Sequence, residues 1–130
     1  MNIKKIVVSS VLVGSVLIPT AASAAYQAYV GYRLPAYSAN NYTGTHTKVT
    51  DERYLQNIVE NTDASGSVNF WATDENHNAI SAKYAQKDNN ISTKLNFTTA
   101  NNKGDQVAMG MENPDWSTQI AFVSGRVDFK

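Results

Sequence analysis

The chain has 130 residues, 42% of them hydrophobic and 17% charged, with 11 basic and 11 acidic residues and no cysteine. That length suits one domain. The absent thiols exclude a disulfide framework and cysteine chemistry, and the level charge lacks the basic excess of a nucleic-acid binder.

The first element reads as an export signal. Met1-Asn2-Ile3-Lys4-Lys5 is a short positive head, and Ile6 to Ile18 is a 13-residue apolar run. Pro19-Thr20 breaks that run, and Ala22-Ser23-Ala24 places small residues where a signal peptidase reads them. This is the order of a cleaved secretory leader. At roughly 1.5 Å per residue the run reaches about 20 Å, short of the ~30 Å hydrocarbon core, so an anchor is the weaker reading. Residues 1–24 are therefore expected to be a signal peptide, with cleavage after Ala24 or Ala25. Residues 25–130 are expected to form one secreted, extracellular domain with no membrane span after cleavage. The leader takes two lysines with it, leaving 9 basic and 11 acidic residues, a net charge of −2. The three Asn-x-Ser/Thr sequons at Asn41, Asn90 and Asn96 are what chance provides in so Asn- and Thr-rich a chain.

Period-two alternation dominates thereafter, with β-branched and aromatic residues at alternate sites. Tyr26, Ala28, Val30 and Tyr32 form a first face. Arg33 to Thr47 is rich in Tyr, Ser, Asn, Thr and Gly and reads as a loop with poor core potential. In Asp51 to Asn61, Tyr54, Leu55, Ile58 and Val59 also fit a helical face, but the β-branched residues and the following Asn-Thr favour a strand. Further faces are Val68/Phe70/Ala72 with Trp71 and Thr73 opposite, Ile80/Ala82/Tyr84, Ile91/Thr93/Leu95/Phe97 and Val107/Met109/Met111. The last segment changes phase, from Ile120 and Phe122 to Val123, Val127 and Phe129, and Ser124-Gly125 at the change suggests a bulge. Asx- and Gly-rich turns about ten residues apart separate these runs, as in antiparallel hairpins. The expected fold is all-β: a single antiparallel β-sandwich or open barrel of about 7–8 strands.

Four features together give the chain a resemblance to a family. They are the leader, the segment Asn40-Asn41-Tyr42-Thr43, the central Phe70-Trp71, and the closing Met111-Glu112-Asn113 and Val123-Ser124-Gly125 with Asp128. With them the layout resembles a family of small exported proteins of low-GC Gram-positive bacteria that carry a domain of unknown function. The resemblance implies an all-β exported fold and no established activity, and it assigns no catalytic or binding residue.

Catalytic signals are weak. The serines lack a Gly-x-Ser-x-Gly elbow, and the two histidines, His46 among threonines and His77 at a hairpin tip, read as solvated side chains. A carboxylate pair for hydrolysis would have to form across strands from Glu60, Asp74, Glu112 or Asp128. No enzyme activity and no cofactor are expected. The metal hint is Asp74-Glu75-Asn76-His77-Asn78, which puts oxygen ligands at Asp74, Asn76 and Asn78. Ala79 and Ala85 stand where an EF-hand needs glycine and an acid, so only a shallow calcium site is conceivable, and an Asx-rich turn explains the same residues.

The recognition signal is aromatic. Tyr29, Tyr32, Tyr37 and Tyr42, with Trp71 and Trp116 as further exposed rings, are candidates for a contact surface, since tyrosine is amphipathic and loses little entropy on binding. Ordinary core packing is the competing reading. The function expected is a non-catalytic interaction protein outside the cell, its partner a cell-wall polymer, a glycan or a surface protein. A secreted bacteriocin-like antagonist of neighbouring bacteria is the alternative, and a small hydrolase ranks last.

Overall fold

Alternating apolar residues leave each strand with one greasy face, which is buried only when two sheets close on each other. The computed structural model describes residues 25–116 and 118–130 and shows that solution. The predicted leader, residues 1–24, lies outside the described residues. Nine strands occur among the described residues: β1 Tyr26–Leu34, β2 Asn41–Tyr42, β3 His46–Thr47, β4 Tyr54–Thr62, β5 Val68–Asp74, β6 Tyr84–Gln86, β7 Thr93–Asn96, β8 Gln106–Glu112 and β9 Ala121–Asp128. They form two antiparallel sheets. One has the order β1-β9-β4-β7, and the other has β2-β8-β5-β6 with β3 also on β8. The fold is thus an all-β sandwich rather than a barrel, with β4 a strand and no α-helix among the described residues. No described helix is long and apolar enough to cross a membrane.

The core between the sheets is continuous. Leu34, Leu55, Val59, Leu95, Val123 and Val127 from one sheet meet Val68, Phe70, Ala72, Val107, Met109 and Met111 from the other. Each Val, Leu, Met or Phe side chain among them contributes about 1.5–3 kcal/mol when fully withdrawn from water. The faces expected on β5 and β8 are the ones that meet the other sheet.

Three sequence expectations are corrected. The first concerns β1, where Tyr29, Tyr32 and Leu34 turn inward while Ala28 is exposed and Val30 is 78% exposed. The register of β1 on β9 slips between Tyr29 and Tyr32, at Gly31 with φ of 61°. A bulge moves every later side chain to the other face, which simple alternation cannot register. The amide of Gly31 donates to Ser124 Oγ at 2.8 Å, so the irregularity keeps its hydrogen bond. Second, β9 holds one phase throughout, with Ala121, Val123, Gly125, Val127 and Phe129 inward and Phe122 exposed. The slips opposite Ser124-Gly125 lie in its neighbours, β1 and β4. Third, the loop-like stretch after Arg33 supplies β2 and β3, which cover the outer edge of β8. These two short strands bring the strand number above the 7–8 expected.

Two polar features lie inside. The Tyr29 hydroxyl donates to Asn57 Oδ1 at 2.9 Å, Asn57 Nδ2 donates to Gln86 Oε1 at 2.9 Å, and Gln86 Nε2 donates to the Asn57 carbonyl at 3.0 Å. Because Gln86 belongs to the other sheet, this network joins the layers. Burial pushes the Tyr29 phenol well above its ordinary pKa. Lys48 is also buried, its ammonium donating to the Glu52 carbonyl and lying 5.2 Å from the Phe97 ring centroid. Desolvation lowers its pKa, against the opposing pull of Glu52, Asp51, Asp105 and Asp128.

Candidate functional site

The candidate site lies at the end of the sandwich where β1, β4 and β8 finish and β2, β5 and β9 begin. Three connections meet there. Between β1 and β2 the chain turns through Tyr37 and Ser38, with φ of 60° and 55°. Left-handed backbone at non-glycine residues costs on the order of 1–3 kcal/mol each and persists only where the surroundings enforce it. The enforcement is visible. Ser38 Oγ lies 3.3 Å from the Pro114 carbonyl and 3.4 Å from that of Asp115, donating to the β8–β9 connection. That connection is an Asx turn, the Asp115 amide donating to Asn113 Oδ1 at 3.1 Å. Ser65, from the β4–β5 turn, donates to Asp115 Oδ2 at 2.6 Å. Asp63 accepts the Phe122 amide at 2.7 Å, locking the same turn to the start of β9.

This bracing carries two exposed rings. Tyr37 is 51% exposed and Trp116 is 76% exposed, yet their centroids lie 5.2 Å apart at an interplanar angle of 54°. They form an open V rather than a flat stack. The same end of the sandwich has a cavity of about 270 Å³ lined by Asp63, Ser65, Asn113, Asp115, Ile120 and their neighbours; neither ring lines it, and Asp115, which precedes Trp116 and accepts from Ser38, links the two. Among the described residues the cavity lining holds two carboxylates and no lysine or arginine. Large aromatics are normally withdrawn from water, whereas these two rings stay exposed on braced turns.

The other sequence candidates lie elsewhere. Tyr29 is 3% exposed and hydrogen-bonded in the core, so it is not available at a surface. Tyr32 is half-buried edge-on to Tyr29, with centroids 5.8 Å apart. Both follow from the bulge that turns this part of β1 inward. Tyr42 is half-buried on the outer face of the second sheet, stacked on His77 at 3.9 Å and 5°. Tyr42 and Lys83 cover Trp71, which is therefore buried rather than exposed; the Lys83 ammonium lies 4.8 Å from its ring centroid. Of the predicted aromatic set, only Tyr37 and Trp116 are brought together in exposed positions. The supporting Ser38, Ser65, Asn113 and Asp115 went unnoticed in the sequence, where Asn113-Pro114-Asp115 signals only a turn.

The Asp74 loop serves the hairpin. Asp74 Oδ1 accepts the amides of Asn76 and Asn78, each at 2.9 Å, and Oδ2 accepts Asn78 Nδ2 at 3.1 Å. Desolvation raises the Asp74 pKa, but these bonds, led by the Asn78 amide, together with nearby His77 hold it below the ordinary carboxylate value. Asp74, Asn76 and Asn78 are thus joined to one another, and among the described residues no cluster of three or more His, Asp or Glu has metal-holding geometry.

The four acids weighed for hydrolysis are engaged separately. Glu60 pairs with Arg126 at 3.0 Å and Glu112 with Lys83 at 2.6 Å. Asp128 lies 3.4 Å from Lys130 Nζ, and Asp74 belongs to its turn. His46 is half-buried against Phe129, the rings 4.1 Å apart and nearly parallel, instead of solvated; burial lowers its pKa. His77 is exposed, as expected of a hairpin tip.

Comparison with protein-family models, with curated proteins and with solved structures finds no match for this chain.

Proposed function

We propose that this chain is an exported, non-catalytic interaction protein of the bacterial surface or its matrix, and that the braced end bearing Tyr37 and Trp116 is its contact. The observation that carries the reading is the exposure of both rings on turns held by Ser38, Ser65 and Asp115. A rigid aromatic anchor loses little freedom on binding, so its contact area converts efficiently into affinity. Export is supported by the order of charge, apolar run and small residues in 1–24. A Gram-positive source follows from the resemblance to small exported proteins of those bacteria.

Co-sedimentation of residues 25–130, which hold every described strand, with isolated cell walls tests the proposal. Saturable retention is expected. Tyr37→Ala and Trp116→Ala should each weaken it by about tenfold, as loss of a central aromatic anchor does. Their urea midpoints should stay near that of the parent, because exposed substitutions usually change stability by under about 0.5 kcal/mol. Protein left wholly in the supernatant, or retention indifferent to both substitutions, would overturn the reading.

A further inference from the structure

We propose that the Tyr37–Trp116 pair and the cavity at the same end of the sandwich form a binding site for a neutral saccharide; this deepens, and rests on, the reading of that end as the contact surface. The argument is chemical. A sugar ring has an apolar face of C–H groups, slightly positive, and a rim of hydroxyls. The negative π-face of an aromatic ring attracts the first, and carboxylate, amide and hydroxyl side chains satisfy the second. Both kinds of group occur at this end of the sandwich, linked by Asp115, which lines the cavity and precedes Trp116. Tyr37 and Trp116 offer ring faces at 54° to each other. Asp63, Ser65, Asn113 and Asp115 line the cavity of about 270 Å³, room for one sugar unit rather than for a long flexible ligand.

The sign of the charge selects among saccharides. Among the described residues two carboxylates and no cation line the cavity, so an anionic polymer bearing phosphates or uronic acids would meet like charge. A neutral hydroxyl-rich ring meets acceptors. Preorganisation points the same way. Left-handed backbone at Tyr37 and Ser38, tied across to the Pro114 and Asp115 carbonyls, holds the first ring before any ligand arrives. An uncharged ligand then loses little of its contact energy to ordering the protein.

The two tryptophans make the test direct, since Trp116 is exposed and Trp71 is buried. The chain from Ala25 is titrated with β-1,4-linked oligomers of glucose and of N-acetylglucosamine while tryptophan emission and acrylamide quenching are followed. Polygalacturonate and polyglycerol phosphate serve as anionic counterparts. A neutral oligomer should shield the quenchable tryptophan saturably, Trp116→Phe should abolish the response, and Tyr37→Ala should weaken it by about tenfold. The anionic polymers should leave quenching unchanged. Failure of every neutral oligomer to shield Trp116, or shielding by the anionic polymers alone, would overturn the proposal. The wall experiment separates the two levels. Walls that still retain the protein through Tyr37 and Trp116 while neutral oligomers do nothing would leave the contact surface standing and point to a wall protein. Loss of both would remove the surface as well.

Discussion

The indole of Trp71 fills the space that a side chain at Gly110 would need. A Cβ on Gly110 would fall 2.5 Å from Trp71 Cζ2 and 2.7 Å from Nε1. The two residues are register partners on β5 and β8, so the contact is built into the sheet. Gly110→Ala would otherwise gain about 0.4–1 kcal/mol through a less flexible unfolded chain, but overpacking costs about 1–3 kcal/mol and decides the sign. The urea midpoint should fall. Adding Trp71→Phe should recover part of the loss, giving a non-zero coupling energy in the double-mutant cycle. Simple additivity of the two changes would show that the indole is not what excludes the side chain.

Tyr29 illustrates how a ring that looks like a surface contact becomes a structural donor. Its hydroxyl anchors Asn57, which in turn holds Gln86 across the layers. Tyr29→Phe keeps the ring and removes the donor, leaving Asn57 Oδ1 buried without it. A cost of about 1–3 kcal/mol is expected, read as a lower midpoint in urea unfolding with wall retention per folded molecule unchanged. Reduced retention of the fully folded variant would instead put Tyr29 at the contact surface.

His46 gives the fold an acid-sensitive seam. Burial against Phe129 lowers its pKa from the ordinary 6.5, so the folded state binds its proton less readily than the unfolded chain does. Its contribution is therefore fully present above about pH 6.5 and is lost as pH falls through the lower folded value. The thermal midpoint should drop between about pH 7.5 and pH 5, and His46→Phe, which retains the stack without the titration, should flatten that part of the curve. An unchanged slope in the variant would assign the acid sensitivity to other groups.

Asp74 organises its hairpin through three hydrogen bonds to Asn76 and Asn78. Asp74→Ala should lower stability by on the order of 1 kcal/mol, the net worth of such bonds. The decrement should be the same with millimolar calcium as with chelator. A calcium-dependent stabilisation of the parent that disappears in Asp74→Ala would reinstate the loop as a cation site.

Sequence alone determined what local periodicity can encode. Val68/Phe70/Ala72 and Val107/Met109/Met111 alternate without interruption, so their buried faces were legible residue by residue. The Asx- and Gly-rich breaks likewise identified the turns, because those side chains stabilise turn backbone through their own bonds. Such information lies within a few neighbouring residues.

Tertiary structure decided whatever depends on partners far away in the chain. The slip at Gly31 is settled by how β1 fits β9 and by the Ser124 hydroxyl, 93 positions along. It lets Tyr29 and Tyr32, three positions apart, share the inward face, the first buried and the second half-buried. The short pairs Asn41–Tyr42 and His46–Thr47 become strands only because β8 offers an open edge. Tyr37 and Trp116, nearly 80 positions apart, meet because antiparallel closure places the β1–β2 and β8–β9 turns at one end. Alternation says that a ring will face one side or the other; only packing says which side, and which rings remain in water together.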